Sequence, residues 1–222
     1  MASLTEASRH LDCCLDRGSF VDERVSAMIR IAIVLGSTRP SRLGKAVADW
    51  VYSRALERTD ASFGFLDVAD FDLPLLDEPR PPSRGQYSHA HTKSWSQAVG
   101  RFDGYIFVTG EYNHSIPAAL KNALDYLYME WNNKSAAFVS YGSAGGTRAV
   151  EHLRAVAGEL QLADVRAQVA LNLATEFENY RTFKPSEAAE KRLLAVFDQV
   201  IAWAGALKVL RPVPVVSASP AA

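Results

Sequence analysis

Ser37, Arg39, Ser41 and Arg42 fall within six residues of the segment Gly36-Ser37-Thr38-Arg39-Pro40-Ser41-Arg42-Leu43-Gly44. Hydroxyl donors beside two forked guanidinium groups match the oxygens of a dianionic monophosphate. The segment follows the apolar run Ile31 to Leu35 and precedes the helical stripe Leu43, Val47, Trp50 and Val51. It therefore occupies a strand-to-helix turn, where the N–H groups of the helix add partial positive charge. It has no second glycine two places after the first, as a dinucleotide fingerprint needs, and no Gly-Lys-Ser/Thr ending, as a triphosphate loop needs. One terminal phosphate is the ligand it suits. An ordinary hydrophilic connection with a serine cap competes with that reading, and the two arginines tell against it.

Two further polar segments stand at equivalent places. Thr109-Gly110-Glu111-Tyr112-Asn113-His114-Ser115-Ile116-Pro117 combines aromatic and hydrogen-bonding side chains, with Ser115 expected as a helix cap and Pro117 in the first helical turn. Ser140-Tyr141-Gly142-Ser143-Ala144-Gly145-Gly146-Thr147-Arg148 carries three glycines, which let backbone approach a ligand closely.

The elements that must position these segments alternate. Short apolar runs at Ile31 to Leu35, Tyr105 to Val108 and Ala136 to Val139 read as buried parallel strands, with Phe63 to Val68 and Val165 to Leu173 as more alternating ones. Apolar residues three and four apart mark helices after the first, third, fourth and fifth strands, the second of these over Pro117 to Met129. A further helix is expected near Ser94 to Arg101, after a loop rich in proline and glycine from Asp77 to Thr92. Alternation of this kind gives an α/β fold with a parallel sheet covered on both faces, and ligands bind at the carboxyl ends of its strands.

On these residues the chain resembles the NADPH-dependent FMN reductase family. The resemblance is carried by the Gly-Ser-Thr-Arg loop, by Glu-Tyr-Asn-His-Ser-Ile-Pro running into Ala118-Ala119-Leu120-Lys121-Asn122-Ala123-Leu124-Asp125, and by the Ser-Tyr-Gly loop, from about Ile29 to about Arg166. It implies a flavodoxin-like three-layer sandwich with a five-stranded parallel sheet in the order 2-1-3-4-5. It also implies FMN as cofactor and NADPH or NADH as electron donor. By the same resemblance Ser37, Arg39 and Arg42 hold the FMN phosphate. Glu111, Tyr112 and Asn113 lie against the isoalloxazine ring, and Tyr141, Gly142, Ser143 and Gly146 border its other edge. The family commonly has proline where this chain has Gly110, a departure that bears on loop rigidity and flavin affinity. The implied reaction passes electrons from NAD(P)H through flavin to a small acceptor: free flavin, a quinone, an azo dye, a nitroaromatic or an oxidised metal. Arg84 or Arg148 is a candidate for meeting a 2′-phosphate.

Other residue groups read more plainly. At 222 residues, 48% hydrophobic and with a formal net charge of -1, the chain suits one soluble domain and gives no electrostatic reason for nucleic acid or an anionic membrane as partner. That charge also weighs against a flavodoxin-like electron carrier, since carriers that dock on basic partners are acidic. Residues 1–27 read as an N-terminal extension or a start-site artefact before Met28, 28–211 as the folded domain and 212–222 as a mobile tail. A flavin-based redox sensor without its own substrate is the third reading, suggested only by the extension. Cys13 and Cys14 read as reduced thiols, in keeping with a cytoplasmic protein. His89 and His91 lack a third metal ligand at useful spacing and read as surface histidines in the loop. Gly142-Ser143-Ala144-Gly145 lacks the glycine a hydrolase elbow needs two places before its serine. Trp131 reads as a packing or subunit-contact residue, and Lys121 with Asp125 as a solvated helix pair. A homodimer is expected, with a tetramer open, and the helix bearing Tyr126, Tyr128 and Met129 is the interface candidate.

Overall fold

The computed structural model describes residues 28–211. The expected extension over 1–27, with Cys13 and Cys14, and the expected tail over 212–222 lie outside the described residues. Five strands, β1 (Ile29–Leu35), β2 (Ala61–Asp67), β3 (Gly104–Gly110), β4 (Lys134–Gly142) and β5 (Leu162–Asn172), alternate with α1 (Gly44–Ala55), α2 (Ala90–Gly100), α3 (Ala118–Asp125) and α4 (Thr147–Glu159). A long helix, α5 (Glu187–Lys208), follows. The strands pair in parallel in the order β2-β1-β3-β4-β5, the flavodoxin-like arrangement expected.

The central strands are buried on both faces because both of their alternating side-chain rows are apolar. Ile31, Ile33, Leu35, Ile106, Val108, Ala137 and Val139 face one core with α1 and α5. Their neighbours Ala32, Val34, Tyr105, Phe107, Ala136 and Phe138 face the other, with α2, α3 and α4. Each large side chain fully buried in this way stabilises the fold by about 1.5–3 kcal/mol. Between β1 and β3 the chain order reverses, so the connections leaving their carboxyl ends diverge and open a crevice.

Four expectations change in detail. The helix expected near Ser94 starts at Ala90, because its first turn, Ala90-His91-Thr92-Lys93, is too polar to show a stripe. His91 is therefore helical, and only His89 stays in the loop. The helix expected to reach Met129 ends at Asp125, and residues 126–132 continue as turns. Tyr126 there is fully buried, its hydroxyl donating to Pro74 O at 3.0 Å and to the Asp77 carboxylate at 2.9 Å, so it is core and not a subunit contact. Trp131 is likewise fully buried, which leaves packing as its role. Ser115 does not cap α3: its hydroxyl pairs with His152 Nδ1 at 3.0 Å, and Pro117 holds the cap position.

One element has no counterpart in the apolar pattern. An antiparallel hairpin, β6 (Phe177–Glu178) and β7 (Thr182–Phe183), stands between β5 and α5.

Candidate functional site

The loop from β1 to α1 is built by contacts beneath it. Ser37 is fully buried, and its hydroxyl lies 2.7 Å from that of Tyr112 in the β3 loop. Arg42 donates to the Ser37 carbonyl at 2.5 Å and pairs with the Asp67 carboxylate at the end of β2. Ser41 turns the chain with a φ of 57°. Arg39, by contrast, is exposed and has no ion pair among the described residues. Helix α1 has no side-chain cap and no acidic residue in its first turn, so its positive dipole end is left for a ligand.

The β3 loop is a tight turn in which Tyr112 N–H donates to Ser115 O at 2.9 Å and Ser115 N–H to Tyr112 O at 3.1 Å. Asn113 and His114 at its centre have φ of 50° and 69°, a type I′ geometry that asparagine tolerates well. Glu111 beside it is held by Arg148, whose Nε donates at 2.6 Å and whose backbone N–H donates at 3.2 Å. Burial alone would raise the Glu111 carboxyl, but these donors hold it below the usual carboxylate range. Its stabilising contribution is present above the ordinary carboxylate pKa and is lost as pH falls through the depressed one.

Tyr141 at the end of β4 is a wedge. Its hydroxyl packs against Gly44 at the start of α1, and burial pushes the phenol up to about 12, so it stays neutral. A Cβ on Gly44 would lie 2.7 Å from the phenol oxygen, and one on Gly110 would lie 3.0 Å from the ring carbon that bears it. Both glycines make room for the ring. The glycine that replaces the family's proline at position 110 thus has a local reason. Gly146, at the N-terminus of α4, has a φ of 72°, and a Cβ there would stand 2.8 Å from Ser140 Cβ.

These loops enclose a cavity of about 360 Å³. Arg39, Ser41 and Arg42 line it from the β1 loop; Glu111, Tyr112, Tyr141 and Gly142 line it from the ends of β3 and β4; Leu43, Leu173 and Tyr180 complete the wall. Among the expected site residues, Arg39, Arg42, Glu111, Tyr112, Tyr141 and Gly142 meet there. Ser37 lies beneath the wall, while Asn113, Ser143 and Gly146 shape its loops without lining it. Leu173 and Tyr180 were missed; the faint signal was Phe177 and Phe183 flanking Asn179. Arginines beside a helix N-terminus without a side-chain cap suit a phosphate, and tyrosine with glycine backbone on the neighbouring loops suits a flat ring, so the residues present fit FMN.

The remaining candidates lie elsewhere. His89 and His91 stack with ring centroids 5.2 Å apart above Asp77, and no metal-binding cluster is found among the described residues. Gly85 abuts Met129, which places Arg84 beyond the far end of α3, away from the crevice. Arg148 is engaged by Glu111 and lies 2.9 Å from His114 Nε2.

The model of the NADPH-dependent FMN reductase family matches residues 29–176. An NAD(P)H-dependent FMN reductase of Schizosaccharomyces pombe is 40% identical over 146 residues, 65% of this chain and 73% of that protein. A 2-hydroxy-1,4-benzoquinone reductase of a Burkholderia species is 33% identical over 141 residues, 60% of this chain and 73% of that one. Among solved structures, the flavoenzyme NAD(P)H:(acceptor) oxidoreductase FerB of Paracoccus denitrificans shares the fold with a TM-score of 0.63 at 19% identity, over 80% of this chain and 97% of that one. With the family match spanning all five strands and all three loops of the crevice, the chain belongs to the NADPH-dependent FMN reductase family.

Proposed function

We propose that the protein is an FMN-dependent oxidoreductase that passes electrons from NAD(P)H to a small acceptor of the quinone type. The observation that carries this is the crevice at the switch point of the sheet, where Arg39 and Arg42 of one loop and Tyr112 and Tyr141 of its neighbours line one cavity. FMN, when bound, would supply the redox chemistry that links the nicotinamide to the acceptor.

The chain's own residues bind and orient. Arg39 and the N-terminus of α1 hold the phosphate, and Arg42, tied to Asp67, fixes the loop that presents them. The turn from Tyr112 to Ser115 and the backbone at Gly142 form the slot for the ring. Tyr141 keeps the first and third loops at a set spacing. No acid or base from the chain is required, because hydride transfer depends on positioning.

Purified protein should be yellow and should oxidise NADPH or NADH with a simple quinone and no added reductase. A colourless protein without saturable FMN binding refutes this. Turnover only when a separate reductase is supplied would make it an electron carrier instead.

The proposal extends to a cytoplasmic homodimer. Leu75, Leu76 and Met129 are exposed beside the end of α3 and form its candidate contact surface. Light scattering on purified protein decides the assembly state.

A further inference from the structure

Tyr180 lines the crevice, yet it lies beyond residue 176, where the family match ends. It stands at the tip of the β6–β7 hairpin. There Arg181 N–H donates to Glu178 O at 3.0 Å, and Asn179 and Tyr180 have φ of 51° and 57°. That is a type I′ turn, whose second central position favours glycine. A tyrosine there crowds its Cβ against the following carbonyl. Packing does not explain the choice, since the residue is 64% exposed.

The base of the hairpin is pinned. Phe177 meets Tyr141 with ring centroids 6.4 Å apart, and Phe183 meets Trp50 of α1 at 5.4 Å. Lys184 N–H donates to Glu176 O at 2.8 Å, and the Glu176 carboxylate accepts from Ser186 N–H at 2.7 Å at the start of α5. The ring of Tyr180 is therefore carried on a fixed support tied to the helix that bears the phosphate loop. An exposed aromatic in a disfavoured backbone conformation, on the wall of a ligand cavity, marks a functional position.

We propose that Tyr180 retains the cofactor, its ring closing the crevice beside Arg39 and Ser41 and slowing the departure of FMN. This rests on the FMN reading above. The turn keeps its unfavourable residue because a glycine there would leave that side open.

The test uses the full chain loaded with FMN, with Tyr180→Gly, Tyr180→Ala and Tyr180→Phe. FMN release is followed by the recovery of flavin fluorescence on dilution, and thermal unfolding is measured on the apo forms. An aromatic contact of ordinary strength predicts release about five- to tenfold faster for the glycine and alanine variants, and within about twofold of wild type for phenylalanine. Apo Tyr180→Gly should unfold at or above the wild-type temperature, because glycine relieves the turn. Faster release from a protein that is no less stable is a pairing that a purely structural residue cannot produce. Wild-type release rates in both the glycine and alanine variants would overturn the proposal, including the case where only the KM for the acceptor changes. Failure of the wild type itself to bind FMN would instead strike the FMN reading, so the two failures are distinguishable.

Discussion

Replacing Gly44 by alanine should destabilise this protein, although the same change normally stabilises a helix. Gly44 is the first residue of α1, and its φ is not positive, so alanine carries no backbone penalty. Helix propensity alone predicts a gain of up to about 1 kcal/mol. Against this, the new Cβ would stand 2.7 Å from the Tyr141 hydroxyl, 3.1 Å from Leu35 Cδ1 and 3.2 Å from Tyr141 Cε1. Tyr141 has no room to retreat, since its other side rests against Gly110 and Phe177. Overpacking of this kind costs about 1–3 kcal/mol, so the net change is a loss of about 1 kcal/mol.

Tyr141→Phe alone removes a polar oxygen packed on Gly44, at a cost of at most about 1.5 kcal/mol. In the double variant the oxygen is gone and the helix gain is expressed. The two changes should therefore couple favourably by about 1–2 kcal/mol in a double-mutant cycle. Urea unfolding of the four apo proteins at one fixed concentration measures it, because bound cofactor or assembly would otherwise shift the midpoints. A stabilised Gly44→Ala in the wild-type background, or strict additivity, would refute the wedge.

The two loop arginines should separate cleanly. Arg39→Ala should weaken FMN binding about tenfold and leave stability within about 0.5 kcal/mol, whereas Arg42→Ala should also cost about 1–3 kcal/mol by stranding Asp67; titration calorimetry and urea unfolding together check this. Gly146→Ala meets unyielding backbone, with Tyr141 N and O 3.0 Å from the new Cβ, and should destabilise by more than about 2 kcal/mol while abolishing the yellow colour. At the opposite edge of the sheet, burial lowers Lys134 to about 7 beside the Tyr105 hydroxyl, 2.9 Å away. The unfolded chain then holds a proton that the folded one lacks between about pH 7 and the ordinary lysine range near pH 10.4, so wild-type stability rises across that window. Lys134→Met should flatten the rise and gain most below pH 7, as read from urea midpoints across pH.

The buried strands were legible because Ile31 to Leu35, Tyr105 to Val108 and Ala136 to Val139 are too short and too uniformly apolar to be helices or exposed strands; their order in the sheet came only with the family resemblance. The phosphate loop was legible because its arginines and serines are local in sequence. Asp67 was not: it meets Arg42 only because β2 and β1 end side by side, a pairing across 25 residues that no local pattern carries. The overlong helix at Pro117 to Met129 has a related cause. Tyr126 and Leu127 keep helical spacing in turns that bury them, and periodicity reports burial more faithfully than hydrogen bonding. Tyr180 escaped because type I′ hairpins are recognised by glycine, and here that position carries an aromatic ring.

Contacts between loops decide which parts of the crevice can still move. Tyr112 touches Ser37, Tyr141 touches Gly44, Glu111 holds Arg148, and Asn172 Nδ2 donates to Ser143 O at 2.8 Å. Each link joins segments that leave different strands, so the phosphate end and the ring end are held at a set distance by the protein itself. Arg42 belongs to this frame, because its charge is already met by Asp67. Among the described residues, Arg39 makes no ion pair and Tyr180 stands largely exposed on the cavity wall. A preorganised slot loses little freedom when a ligand enters. Differences in flavin retention between this chain and its relatives should therefore arise at Tyr180, beyond the family match, rather than in the shared loops.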